Sequence, residues 1–152
     1  MTMDVSVDST VLLYNQDLRY PTKQTQSASW LKTLTLSNRL AVSPQTLNET
    51  YAVVRRKPEF IHWRGEIRSF LEDLFPHVIP NLTTTELISA WRIQDRYQTS
   101  FWDALQLAVA NAASCTHFLS EDLNDGQTYG TVKVINPFRH TPADVLGPAL
   151  QP

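Results

Sequence analysis

Apolar positions along this chain switch between two-residue alternation and recurrence every three to four residues, which predicts strands alternating with helices. Asp4 to Val7 is short and β-prone and runs into Asp8, after which Val11, Leu12, Leu13 and Tyr14 read as the first turns of a helix. Pro21 opens a second helix, with Trp30, Leu31, Leu34 and Leu36 expected on its buried side, followed by a strand around Leu40 to Ser43. Ser43 as N-cap and Pro44 at the first helical position start a third helix carrying Leu47, Tyr51 and Val54 on one face, which Pro58 should end. Phe60, Ile61, Ile67, Phe70, Leu71 and Leu74 keep the helical period and predict another amphipathic helix that stops before Pro76. His77 to Ile79 reads as a third strand. Thr84 or Thr85 starts a helix through Arg96, Ser100 caps one running to Ala113, and Thr116 to Ser120 and Val132 to Ile135 read as the fourth and fifth strands. This alternation predicts an α/β fold of three layers, helices on both faces of a central parallel five-stranded sheet.

At 152 residues the chain fits one domain, expected over 1–138, and the proline-rich segment 139–152 has no clear period and reads as a loosely held tail. No apolar run approaches the roughly 18 residues that span a bilayer, and the N-terminus lacks the features of a signal peptide, so a cytoplasmic protein with no membrane partner is expected. Cys115, the only cysteine, excludes an internal disulfide and a thiolate zinc cluster within one chain. His62, His77, His117 and His140 lack the paired spacing of a zinc helix. With a net charge of -2, a nucleic-acid partner would have to be met by a local basic patch. Arg55, Arg56 and Lys57 form the only basic run, with Arg64, Arg68, Arg92 and Arg96 on later helices; a solvated face and a set of phosphate contacts are both open readings. Trp30, Trp63, Trp91 and Trp102 recur with apolar partners and read as core, with base stacking as the alternative.

Four carboxylates stand out by where a parallel sheet would put them. In such a sheet the C-terminal strand ends and the N-terminal helix turns share one edge. Asp8 and Asp122 come from strand ends, and Glu49 and Asp103 from early helix turns, so all are expected at one rim. Each also has an ordinary reading. Asp8 can make an Asx turn, Asp122 can be a solvated turn residue, Glu49 can face solvent, and Ser100-x-x-Asp103 can be a capping box. Asp103 is the most telling, because its helix is apolar nearly all round and a desolvated carboxylate is costly without a partner. Acids crowded in one cleft raise each other's pKa values, a penalty that a divalent ion removes. Oxygen ligands without histidine or cysteine suit Mg²⁺ or Mn²⁺, and such ions support phosphodiester hydrolysis.

The order and spacing of Val7-Asp8-Ser9-Thr10-Val11-Leu12-Leu13-Tyr14, Val42-Ser43-Pro44-Gln45-Thr46-Leu47-Asn48-Glu49, Ser100-Phe101-Trp102-Asp103-Ala104-Leu105 and Leu119-Ser120-Glu121-Asp122-Leu123 resemble a PIN domain, and within it the bacterial VapC-type toxins. Gly126-Gln127 and Ile135-Asn136-Pro137-Phe138 share the likeness, which spans about residues 4 to 138. The resemblance implies a strand order 3-2-1-4-5, catalytic Asp8, Glu49, Asp103 and Asp122, of which Asp8, Asp103 and Asp122 hold metal, and a cofactor Mg²⁺ or Mn²⁺. It further implies an RNA substrate, a homodimer and a small antitoxin protein as inhibitor. Thr10 stands where many relatives carry Asn; with Ser100 and Asp125 it is expected to support the site. The reading is a metal-dependent ribonuclease, the toxin of a toxin-antitoxin pair; the alternative is a non-catalytic PIN fold that binds RNA or protein. A phosphoacceptor receiver domain fits poorly because no aspartate follows the expected third strand, and no Gly-rich phosphate loop follows the first strand.

Overall fold

The computed structural model describes residues 3–80 and 82–147. Five strands form one sheet: β1 (Val5–Val7), β2 (Leu40–Ala41), β3 (His117–Leu119), β4 (Thr128–Tyr129) and β5 (Val132–Ile135), in the order β2-β1-β3-β5-β4. The helices are α1 (Ser9–Tyr14), α2 (Pro21–Leu36), α3 (Pro44–Arg56), α4 (Ile67–Asp73), α5 (Thr84–Tyr97), α6 (Phe101–Ala112) and α7 (Pro142–Leu146). Side chains alternate across the strands and feed two cores. Val5, Val7, Leu40, Val42, Leu119 and Ile135 pack against α1 to α4. Ala41, Phe118, Val132 and Val134 pack against α5 and α6. The α/β fold expected from the sequence, a five-stranded sheet flanked by helices, is the one observed, and the sheet is mostly parallel.

Two strands differ from expectation. His77 to Ile79 contributes only a parallel bridge, Val42 to Val78, so the anticipated third strand shrinks to one pair beside β2. The expected fifth strand is present as β5, and the sheet gains an unanticipated strand, β4, which runs antiparallel to it at the sheet edge. Its loop holds Gly130 at φ 64, where a Cβ would come within 3.0 Å of the Asn111 side chain. Asn111 accepts from the Thr131 amide and donates to the Tyr129 carbonyl, tying this hairpin to α6.

Helix starts follow local chemistry closely. Ser43 accepts from the Thr46 amide and Pro44 is the first residue of α3, while Thr83 and Glu86 make a capping box at α5. The single helix expected over Phe60 to Leu74 is broken: a 3₁₀ turn, Pro58–Trp63, precedes α4 and another, Phe75–His77, follows it. Leu36 and Ile61, expected inside, are exposed, and so are Trp91 and Trp102, whereas Trp30 and Trp63 are core. Of the expected tail, 139–147 carries α7, whose Val145 and Leu146 pack on the core; 148–152 lies outside the described residues. Among the described residues no helix is long and apolar enough to cross a membrane.

The topology decides where chemistry can sit. From β1 the chain moves to β2 on one side and later to β3 on the other, so the order reverses between β1 and β3. Open α/β sheets bind ligands beyond the C-terminal strand ends at such a switch point. Asp8 and Ser120 are the first residues beyond β1 and β3 there.

Candidate active site

Asp8 leaves β1 with its amide still donating to the Leu119 carbonyl at 3.0 Å, then occupies the N-cap position of α1. Its carboxylate makes no capping hydrogen bond to the helix. Two serines hold it instead. Ser120 Oγ lies 3.4 Å from Oδ2 and accepts from the Asp122 amide at 3.1 Å, which couples the turn carrying Asp122 to Asp8. Ser9 Oγ lies 3.4 Å from Oδ1 and 3.1 Å from Glu49 Oε2, so its one proton is shared between two acids and favours Glu49. Gln45, one turn earlier on α3, donates to Glu49 Oε1 at 3.1 Å. Each oxygen of Glu49 thereby has a hydrogen-bond partner, Oε2 from α1 and Oε1 from its own helix.

Asp103 reaches the same rim from the first turn of α6. The Ser100 hydroxyl accepts from its amide at 3.2 Å, but the return bond that completes the boxes at Thr83/Glu86 and Thr141/Asp144 is not formed at α6. Ser100 thus fixes the turn and leaves the Asp103 carboxylate free to act on its surroundings. α6 is less enclosed at this end than its composition predicts, since Trp102 is 63% exposed and Asp103 is half-buried.

The electrostatics tie the acids together. Asp8 is only 9% exposed, and burial first, then the charge of Asp122, with smaller contributions from Asp103 and Glu49, pushes its carboxyl up to about 6; the Ser9 amide pulls the other way. Asp122 is more exposed, and its carboxyl is raised by residual burial, then by Glu121 and Asp103, while Lys23 opposes the shift. Each of the four expected acids therefore lies in the field of another.

Charge repulsion of this kind is what a bound cation relieves, and the donors are all hard oxygens, so the residues fit a divalent ion of the Mg²⁺ type. Among the described residues no three His, Cys, Asp or Glu side chains are close enough to grip an ion directly. That spacing suits an ion held through one or two carboxylates and its own waters, as Mg²⁺ commonly is.

Two of the supporting residues have other surroundings. Asp125 accepts from the Asn136 amide at 2.8 Å and pairs with His140 at 2.7 Å, fastening the segment after β5. Thr10 points its Oγ1 into a buried position with no partner. Sequence reasoning missed Ser9, Ser120 and Gln45, whose only signal is that each lies one to four residues from an expected acid. It also missed a clamp beside Asp122. Glu121 receives hydrogen bonds from Tyr14 Oη at 2.8 Å and Lys23 Nζ at 2.7 Å, and the Lys23 ammonium sits 4.7 Å from the Tyr14 ring centre and 5.1 Å from that of Phe138.

A family model, PIN domain, matches residues 5–125, which is most of the chain and contains all four acids. No curated protein matches it.

Proposed function

This chain belongs to the PIN domain family, and on that premise we propose that it is a divalent-metal-dependent endoribonuclease acting through Asp8, Glu49, Asp103 and Asp122. PIN domains are generally nucleases and generally use divalent metal ions. The observation that carries the reading is the state of Asp8: an acid at the sheet's switch point, raised to about 6 by burial first and then by the charges of Asp122, Asp103 and Glu49. Functional sites are where shifts of this size collect.

In this reading Asp8, Asp103 and Asp122 hold the ion, Mg²⁺ or Mn²⁺, one or two of them directly and the rest through its waters. When bound, the ion lowers the pKa of a water and offsets the charge that builds on the phosphate. The chain's residues do the rest. Glu49, aimed by Ser9 and Gln45, takes a proton from the attacking water, and Ser120 keeps the Asp122 turn at its distance from Asp8. By its resemblance to VapC-type toxins, the protein would be the cytoplasmic toxin of a toxin-antitoxin pair, a homodimer restrained by a small antitoxin protein. A non-catalytic, RNA-binding PIN fold is the second reading, favoured by the wide spacing of the carboxylates.

Incubation of RNA with the purified chain separates the two. Cleavage that needs Mg²⁺ or Mn²⁺, stops with chelator and falls by orders of magnitude in a folded Asp103→Ala variant is expected. Parent-like cleavage by that variant would remove the proposed site, and intact RNA with measurable binding would leave the second reading.

A further inference from the structure

An acidic rim on a chain of net charge -2 repels the phosphates of its proposed substrate, so cations must lie along the path of the strand. A cavity of about 200 Å³ beside the rim supplies them. α1 and α3 pack together and both descend from the C-terminal edge of the sheet. Ser9 and Glu49 join them at the top; Leu13 and Val53 line the groove one turn down, and Asp17 and Lys57 line it one turn further. Glu49, Val53 and Lys57 form a single i, i+4 stripe, which puts Lys57 about 12 Å from the acid edge.

The charged lining of the groove is two cations and two acids, Arg19 and Lys57 against Asp17 and Glu59. Asp17, nearly fully buried, receives Nε and Nη2 of Arg19 at 3.0 and 2.8 Å, which fixes the guanidinium while leaving Nη1 3.8 Å from Glu59. Among the described residues Lys57 forms no salt bridge. At the top of the groove Thr10 keeps a buried hydroxyl with no hydrogen-bond partner, an exception that calls for a ligand or water. Tyr14 and Phe60 supply aromatic wall between these polar ends.

We infer that this groove binds the sugar-phosphate backbone of single-stranded RNA on one side of the cleaved bond, with Thr10 near the rim and Lys57 and Arg19 on a phosphate farther out. The inference rests on the nuclease reading for its substrate, but its test reads binding. Its volume suits one sugar-phosphate unit rather than a base pair.

The experiment uses the full chain carrying Asp103→Asn, so that RNA stays intact, with Mg²⁺ present. Anisotropy of a fluorophore-labelled uridine oligomer is followed over a salt series, with and without Lys57→Ala. Lys57 is exposed, so its truncation leaves the core untouched. Arg92→Ala, on α5 at the opposite face of the sheet, controls for overall charge. The expected result is several-fold weaker binding with Lys57→Ala, a salt slope shallower by about 0.7, and no change with Arg92→Ala. Equal affinity for the Lys57 variant and its parent, or equal losses in both alanine variants, overturns the groove, as does an absence of RNA binding. If the Lys57 effect holds while the native chain leaves RNA uncut, the groove stands and the nuclease reading falls.

Discussion

Ser9 Oγ lies 3.1 Å from Glu49 Oε2, bridging the first turn of α1 to the second turn of α3 across 40 residues of sequence. The same hydroxyl is 3.4 Å from Asp8, so a residue that reads as an ordinary helix start sits between two acids of the site. Ser9→Ala removes a partner from a half-buried carboxylate, which costs about 1 kcal/mol of stability. If Glu49 handles the proton, kcat/KM falls further, by about tenfold, because an unoriented base spends less time in line. Urea denaturation and RNA cleavage rates measured on one preparation separate the two effects; a loss confined to stability makes Ser9 structural only.

The Asp8 carboxyl is raised from 3.8 to about 6, and the sign of its pH effect follows. Between those values the folded chain keeps a proton that the unfolded chain has released. The associated stability is complete below pH 4 and is lost as pH rises through about 6, a change of about 3 kcal/mol for the ion-free protein. Asp122, shifted in the same direction, adds to it. Mg²⁺ should reverse the trend by stabilising the ionised form. Urea denaturation in chelator from pH 4 to 7 is the check, with Asp8→Asn as reference: the parent loses stability relative to this variant as pH rises. Parallel curves would mean that neither burial nor the neighbouring acids raise the Asp8 carboxyl.

How far the chain could be read without coordinates follows the range of each signal. Ser43-Pro44 is local chemistry, and it starts α3 where expected. The period over Phe60 to Leu74 is also local, but Pro58, Gly65 and Pro76 bracket it and divide the stretch, so α4 is only seven residues long. Ile61 keeps the period and still faces solvent, because a 3₁₀ turn rotates side chains differently from an α-helix. β4 is two residues long and owes its existence to the Gly130 loop and Asn111, which no periodicity shows. The acids were legible because parallel-sheet topology alone sends strand ends and helix starts to one edge. The serines that orient them were not, since a hydroxyl beside an acid looks like turn chemistry until its distant partner is known.

Lys23 offers a sharper test of how the Asp122 turn is held. Its ammonium pairs with Glu121 at 2.7 Å beside the Tyr14 and Phe138 rings, and its charge counteracts the upward shift of Asp122. Both partners keep some solvent contact, so the ion pair and the ring contacts together stabilise the fold by only about 1 kcal/mol. Lys23→Met should cost that much in a thermal melt. Held then by Tyr14 alone, Glu121 moves more with the turn, and Mn²⁺ affinity, read by electron spin resonance, should drop by about tenfold. Unchanged affinity would show that Ser120 and Tyr14 suffice to set the Asp122 position.

Thr10 separates stability from function in the opposite sense. A buried hydroxyl without a partner has lost its water and gained nothing, so Thr10→Val, close in shape, should leave the chain as stable or more so, by up to about 1 kcal/mol. If the hydroxyl meets the RNA backbone, the same variant raises KM for cleavage while kcat holds, since the lost bond is to bound substrate and not to the reacting atoms. Thr10→Ser, which keeps the hydroxyl, should restore KM. A fall in kcat with KM unchanged would place Thr10 among the groups that orient Asp8, and no change in either would leave its hydroxyl outside the substrate path.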